Sequence, residues 1–175
     1  MEFSPGLKRA CRIVQLLLIV AVLAGVAVLV FGDVVNVTID RYWDDLDPQR
    51  QAAVTYDGGR KTWLASLSIA AFAAPVLIIA GAFRLFGVLA KGDVFSAKVV
   101  ASVRFLGLTI IGYGVARILF GSGMYALLTY GPDTLVKLAV TNEALTVIIT
   151  GLVVWTLGYL IGKAQAVAEE NRQFV

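Results

Sequence analysis

The chain contains no histidine. That removes the commonest metal ligand, the usual axial ligand of haem and the commonest general base. Cysteine occurs once, at Cys11, so neither an intramolecular disulfide nor a cysteine-based metal site can be assembled. Charge is scarce too: 15% of the 175 residues are Asp, Glu, Lys or Arg, where a soluble domain carries about 25%. The formal charge of +3 is spread over 15 basic residues with no basic tract and no interleaved aromatic platform. Nucleic acid is therefore set aside as a partner. Serine and threonine are plentiful, but without histidine no Ser-His pair exists, and Gly112-Tyr113-Gly114 follows no strand that would make it a phosphate-binding turn. The chain reads as a non-enzyme with no cofactor and no metal.

What remains is apolar. Hydrophobic residues make up 59% of the chain and the mean hydropathy is +0.83. At about 20 residues per crossing there is room for roughly four membrane spans. The expected fold is all-α: an integral membrane four-helix bundle forming a single domain over residues 1–175. Its helices are expected at about 13–32, 63–90, 96–130 and 143–163.

Ile13 to Gly32 runs without a charge, behind Lys8, Arg9 and Arg12. The run exceeds the usual h-region of a signal peptide and no clear A-x-A site follows, so it reads as an uncleaved first helix. Asp33 to Lys61 is the one long polar segment, placed as a loop between helices one and two. Within it, residues 41–54 (RYWDDLDPQRQAAV) have the makings of a short interfacial helix, followed by a turn at Asp57-Gly58-Gly59. Asp44, Asp45 and Asp47 invite a calcium reading, but counting from Asp45 the sixth position is Arg50 and the twelfth Tyr56, where an EF-hand needs Gly and Glu. A solvated acidic loop is the expectation. Asn36-Val37-Thr38 is a glycosylation sequon that has force only in a eukaryotic secretory pathway.

Pro75 lies inside the second apolar run and predicts a kink. Arg84, near the end of that run, is expected to reach the interface by snorkelling. From Ser96 to Tyr130 there is no proline, and 35 residues at 1.5 Å each exceed a hydrocarbon core of about 30 Å. The first ten or so are expected to lie along the interface, with Val99, Val100, Val103 and Leu106 as their apolar side.

The third helix carries the most informative pattern. Gly107, Gly114 and Gly121 recur every seven residues and share a stripe, and Arg117 falls on it. The fourth helix has its own stripe of Ala144, Gly151 and Gly158. Small residues on membrane helices mark close backbone approach, so these stripes are expected to face each other. An arginine at mid-bilayer costs from about 2.5 kcal/mol upward and needs a partner. A hairpin turn centred near residue 136 would set Arg117 level with Trp155 and Thr156, as a cation–π or hydrogen-bond contact. No carboxylate is expected at that depth. Two readings stay open: internal hydrogen bonding with water, or contact with a ligand, a lipid or another subunit.

Orientation follows from the basic residues. Lys8, Arg9, Arg12, Arg84, Lys91, Lys98, Arg104, Lys163 and Arg172 fall on one side; Arg41, Arg50, Arg60, Lys61 and Lys137 fall on the other. Both termini are therefore expected in the cytoplasm. At Gly92-Asp93-Val94-Phe95-Ser96 and again at Glu169-Glu170-Asn171-Arg172-Gln173-Phe174-Val175, the chain resembles a family of uncharacterised bacterial membrane proteins, domain of unknown function 2975. Those proteins have four hydrophobic segments, a G-x-x-F-S turn before the third, and a tail like E-E-N-x-L-T-V. Here Gln173-Phe174 replaces the leucine-threonine pair. The resemblance, over roughly residues 10–175, implies four helices in a bacterial cytoplasmic membrane and carries over no catalytic residues.

The functional expectation is an accessory, structural or regulatory subunit. Its partners would be the lipid bilayer and other membrane subunits or further copies of itself. The alternative is a small transporter or channel with Arg117 in an anion-attracting cavity.

Overall fold

The computed structural model describes residues 5–53, 58–91, 96–130, 134 and 137–173. Every element in it is an α-helix: α1 (Pro5–Phe31), α2 (Val34–Trp43), α3 (Pro48–Ala53), α4 (Gly58–Ala73), α5 (Pro75–Leu89), α6 (Ala97–Leu128) and α7 (Asn142–Gln173). Four stretches, Lys8–Phe31, Gly58–Leu89, Ala97–Leu128 and Asn142–Glu170, are long and apolar enough to cross a membrane. Of the turn expected at Asp57-Gly58-Gly59, Asp57 lies outside the described residues and Gly58 and Gly59 instead open α4; the turns expected at Gly92 to Phe95 and at Gly131 to Asp133 lie outside the described residues.

The long helices stand in an open row. α1 packs on α5, α4 and α5 pack on α6, α6 packs on α7, and α2 bridges α4 and α6. Among the described residues no comparable α1–α7 interface closes the row. The expected bundle is thus an open one, dominated by the α6–α7 pair. Side-chain size accounts for this. α6 and α7 bring small residues together, whereas Gly25 of α1 meets nothing within 4 Å. Apolar area alone drives no association where lipid is equally apolar.

Pro75 splits the second run into α4 and α5. Its missing N–H breaks the ladder, but Ala74 keeps helical angles (φ −56°, ψ −36°) and Leu77 N reaches back to Ala74 O at 3.2 Å. α6 has no such break. Ser96 caps it, its hydroxyl accepting from Val99 N at 3.4 Å.

Two expectations are corrected here. The apolar side expected on the first turns of α6 does not face outward: Val99, Val100 and Ser102 are buried. The reason is that α7 continues beyond its apolar crossing, through the polar tail to Gln173, and supplies a partner. Gln165 Nε2 donates to Ser96 O at 3.5 Å, and Val100 packs at Gly162. The polar segment after α1 is likewise not one interfacial helix over 41–54. It starts a helix earlier, at Val34, turns at Asp44 to Asp47, and resumes as α3 behind Pro48. Gln51 Nε2 ties α3 to that turn, donating to Trp43 O (3.0 Å) and Leu46 O (3.1 Å).

This segment also builds the core. Ile39 of α2 and Leu46 of the turn are buried with Leu64, Met124, Tyr125 and Leu128. The acidic turn is a plug anchored by Leu46, with its aspartates around the rim.

Candidate functional site

The α6–α7 seam sets where Arg117 meets α7. Gly107 sits so close to Trp155 that an added Cβ would lie 2.6 Å from Trp155 N. Farther along, Gly114 meets Ile148 and Ala144, while Gly151 meets Ile111 and Gly158 meets Arg104. These contacts define one antiparallel register, and in it Arg117 faces the first turn of α7.

Arg117 accordingly pairs with Glu143. One guanidinium nitrogen donates to Glu143 Oε2 at 2.7 Å, with the side chains 32% and 64% exposed. The expectation that no carboxylate reaches Arg117 is overturned. Trp155 instead lies at Gly107, about 15 Å along the helix from Arg117. Thr156 Oγ1 donates to Leu152 O at 2.8 Å, so neither residue joins the arginine.

The connection between the helices explains the difference. α6 ends at Leu128, and residues 137–141 are not helical. They run back along α6: Ala139 N donates to Ser122 Oγ at 3.0 Å, and Ala139 Cβ packs at Gly121. A symmetric turn at residue 136 would have placed helix opposite this stretch. Here extended chain occupies it, and α7 begins level with Arg117. Thr141 is the local signal for that start, because its hydroxyl accepts from Ala144 N at 3.2 Å.

A second polar group sits beside the pair. Asp45 accepts from the Tyr125 hydroxyl and from Lys137 Nζ at 3.3 Å. Lys137 also lies over the Tyr125 ring, 4.8 Å from its centre, and Tyr42 meets that ring edge-on at 5.2 Å. The Tyr125 hydrogen bond, with Lys137 adding to it, holds the Asp45 carboxyl below the usual aspartate range. The sequence pattern points to Asp45 only as a calcium candidate, and to neither Tyr42 nor Tyr125 as a site residue. Tyr42 comes from α2, Asp45 from the turn after it and Tyr125 from α6; burial of Leu46 brings the turn to Tyr125, and the folded-back connection adds Lys137.

Two cavities open on either side of Tyr42, and Arg117 lines both. One, of about 210 Å³, lies toward Asp45, Tyr125 and Lys137. The other, of about 300 Å³, lies between α2, α4 and α6 and includes Arg41. Among the described residues no group of three metal-ligating side chains occurs. The arrangement suits charge recognition at the end of a helical bundle.

No curated protein and no solved structure matches the chain. A family model does match, over residues 46–174, described as a protein of unknown function. That span runs from the buried Leu46 through α7 and so contains Arg117, Glu143, Tyr125 and both glycine stripes. On this match the chain belongs to the family of domain of unknown function 2975.

Proposed function

We propose that this chain is a multi-pass protein of the bacterial cytoplasmic membrane that acts by association, as an accessory or regulatory subunit rather than an enzyme. The observation that carries the reading is the open row. Among the described residues the main helix neighbour of α1 is α5 and that of α7 is α6. Leu16, Leu17, Val20 and Leu23 of α1, and Ile149, Leu152, Val153 and Leu157 of α7, face outward. A row with two free edges accepts another membrane helix without unmaking its own seam. Both termini lie in the cytoplasm on this reading, since the basic residues concentrate at the α5–α6 end and in the terminal segments.

Purification of the tagged chain in mild detergent tests it. Association predicts a larger complex with other chains or further copies; a monodisperse species holding one copy of this chain alone would count against it. An impermeant thiol reagent tests orientation: in a Cys11→Ser background, Asp44→Cys should label in intact cells, and protection of that position would reverse the topology.

A second reading draws on the two cavities at Arg117: a small transporter for anions. It requires that Arg117→Leu abolish flux in liposomes, and flux no greater than in empty vesicles removes it.

A further inference from the structure

We infer that the cavity between α2, α4 and α6 is a binding site for a phosphate-type oxyanion, with Arg41 and Arg117 as its two cationic ligands. The inference does not depend on the association reading. Arg117 spends little of its hydrogen-bonding capacity: a guanidinium has five N–H donors, and one of its nitrogens reaches Glu143. Among the described residues it makes no other hydrogen bond. Arg41, at the cavity rim, forms no ion pair or hydrogen bond among the described residues. Thr38, Tyr42 and Tyr113 line the same space, and their hydroxyls make no hydrogen bond within the described structure.

The balance of charge selects the ligand's sign. Two arginines line this cavity with no Asp or Glu, whereas Asp45 lines the neighbouring one. Donor number selects its shape. Two guanidinium groups and three hydroxyls offer more donors than the two oxygens of a carboxylate can use, and suit an anion with three or four oxygens. The volume of about 300 Å³ is at the small end for ligand pockets, enough for a phosphate and a short ester substituent. Phe72 and Phe120 supply an apolar wall for that substituent. The phosphate could be free or the headgroup of an acidic phospholipid, and both present the same chemistry to the arginines.

The test is calorimetric titration of the purified full chain in detergent with two probes, inorganic phosphate and dihexanoyl phosphatidylglycerol. The wild-type chain should bind at least one, and Arg41→Gln, a rim residue with no partner to strand, should weaken that binding about tenfold or more. Glu143→Gln should act in the opposite direction and tighten it several-fold, because it removes the negative charge that competes with the ligand for Arg117. Phosphate binding that obeys both variants identifies a free oxyanion, and binding of the lipid alone with the same pattern identifies a headgroup. Binding of neither probe, or binding unchanged by Arg41→Gln, overturns the site.

Discussion

Arg117 donates to Glu143 across 2.7 Å, fastening the middle of α6 to the first turn of α7. Glu143 is well placed at the start of its helix, where a carboxylate also meets the positive end of the helix dipole. The pair fixes a register that the glycine contacts fix independently. The two devices differ in kind. One is a charge contact that solvent screens, since Glu143 is 64% exposed; the other is a steric fit that nothing screens.

The charge contact should therefore be modest. A double-mutant cycle of Arg117→Gln and Glu143→Gln should give a coupling energy of about 1 kcal/mol or less. For a chain of this length that corresponds to about 2–4 °C in the thermal midpoint at most. Differential scanning fluorimetry in detergent measures it, and strictly additive single effects would show that the contact ties nothing.

The steric fit should be less forgiving. At Gly107 an added Cβ would stand 2.6 Å from Trp155 N and 2.7 Å from Trp155 Cα, atoms of a backbone that cannot step aside. Gly107→Ala should cost about 1–3 kcal/mol by forcing α6 and α7 apart. Gly112, on the same helix, meets nothing within 4 Å. Gly112→Ala should be neutral or stabilising by up to about 1 kcal/mol, because alanine is the better helix former. Opposite signs from one substitution on one helix isolate the seam; equal effects would make it incidental.

Much of this was legible from composition and spacing, and the remainder for identifiable reasons. The four apolar stretches and the stop at Pro75 are local properties, set by run length and by the missing proline N–H. The glycine repeat of α6 is local as well. The register between α6 and α7 is not, because it depends on how residues 137–141 run back along α6. Periodicity is silent about a segment that is neither helix nor tight turn, so Arg117 was set opposite Trp155 rather than Glu143. The same gap hid the Asp45–Tyr125–Lys137 group. Leu46 stands alone among three aspartates with no periodic pattern to mark it, yet it is the buried residue that brings Asp45 to Tyr125.

That group makes stability depend on acid. Asp45 is ionised and held by Tyr125 and Lys137, so its carboxyl titrates lower in the folded chain than in the unfolded one, where the value is about 3.9. A depressed folded value means the unfolded state takes up the proton first. The stabilisation is full above about pH 5 and drains away as pH falls through the folded value. Its size is limited, because Asp45 and Lys137 are each 55% exposed. The measurement is the thermal midpoint of the wild type minus that of Asp45→Asn, followed across pH. The difference should favour the wild type at about pH 7 and shrink below about pH 4. Tyr125→Phe should remove most of this dependence while Lys137→Gln removes less, since the tyrosine hydrogen bond is the larger cause. A wild-type advantage that is the same at about pH 3 as at about pH 7 would mean that Asp45 holds the acidic turn through shape alone, and that its charge contributes nothing to the plug.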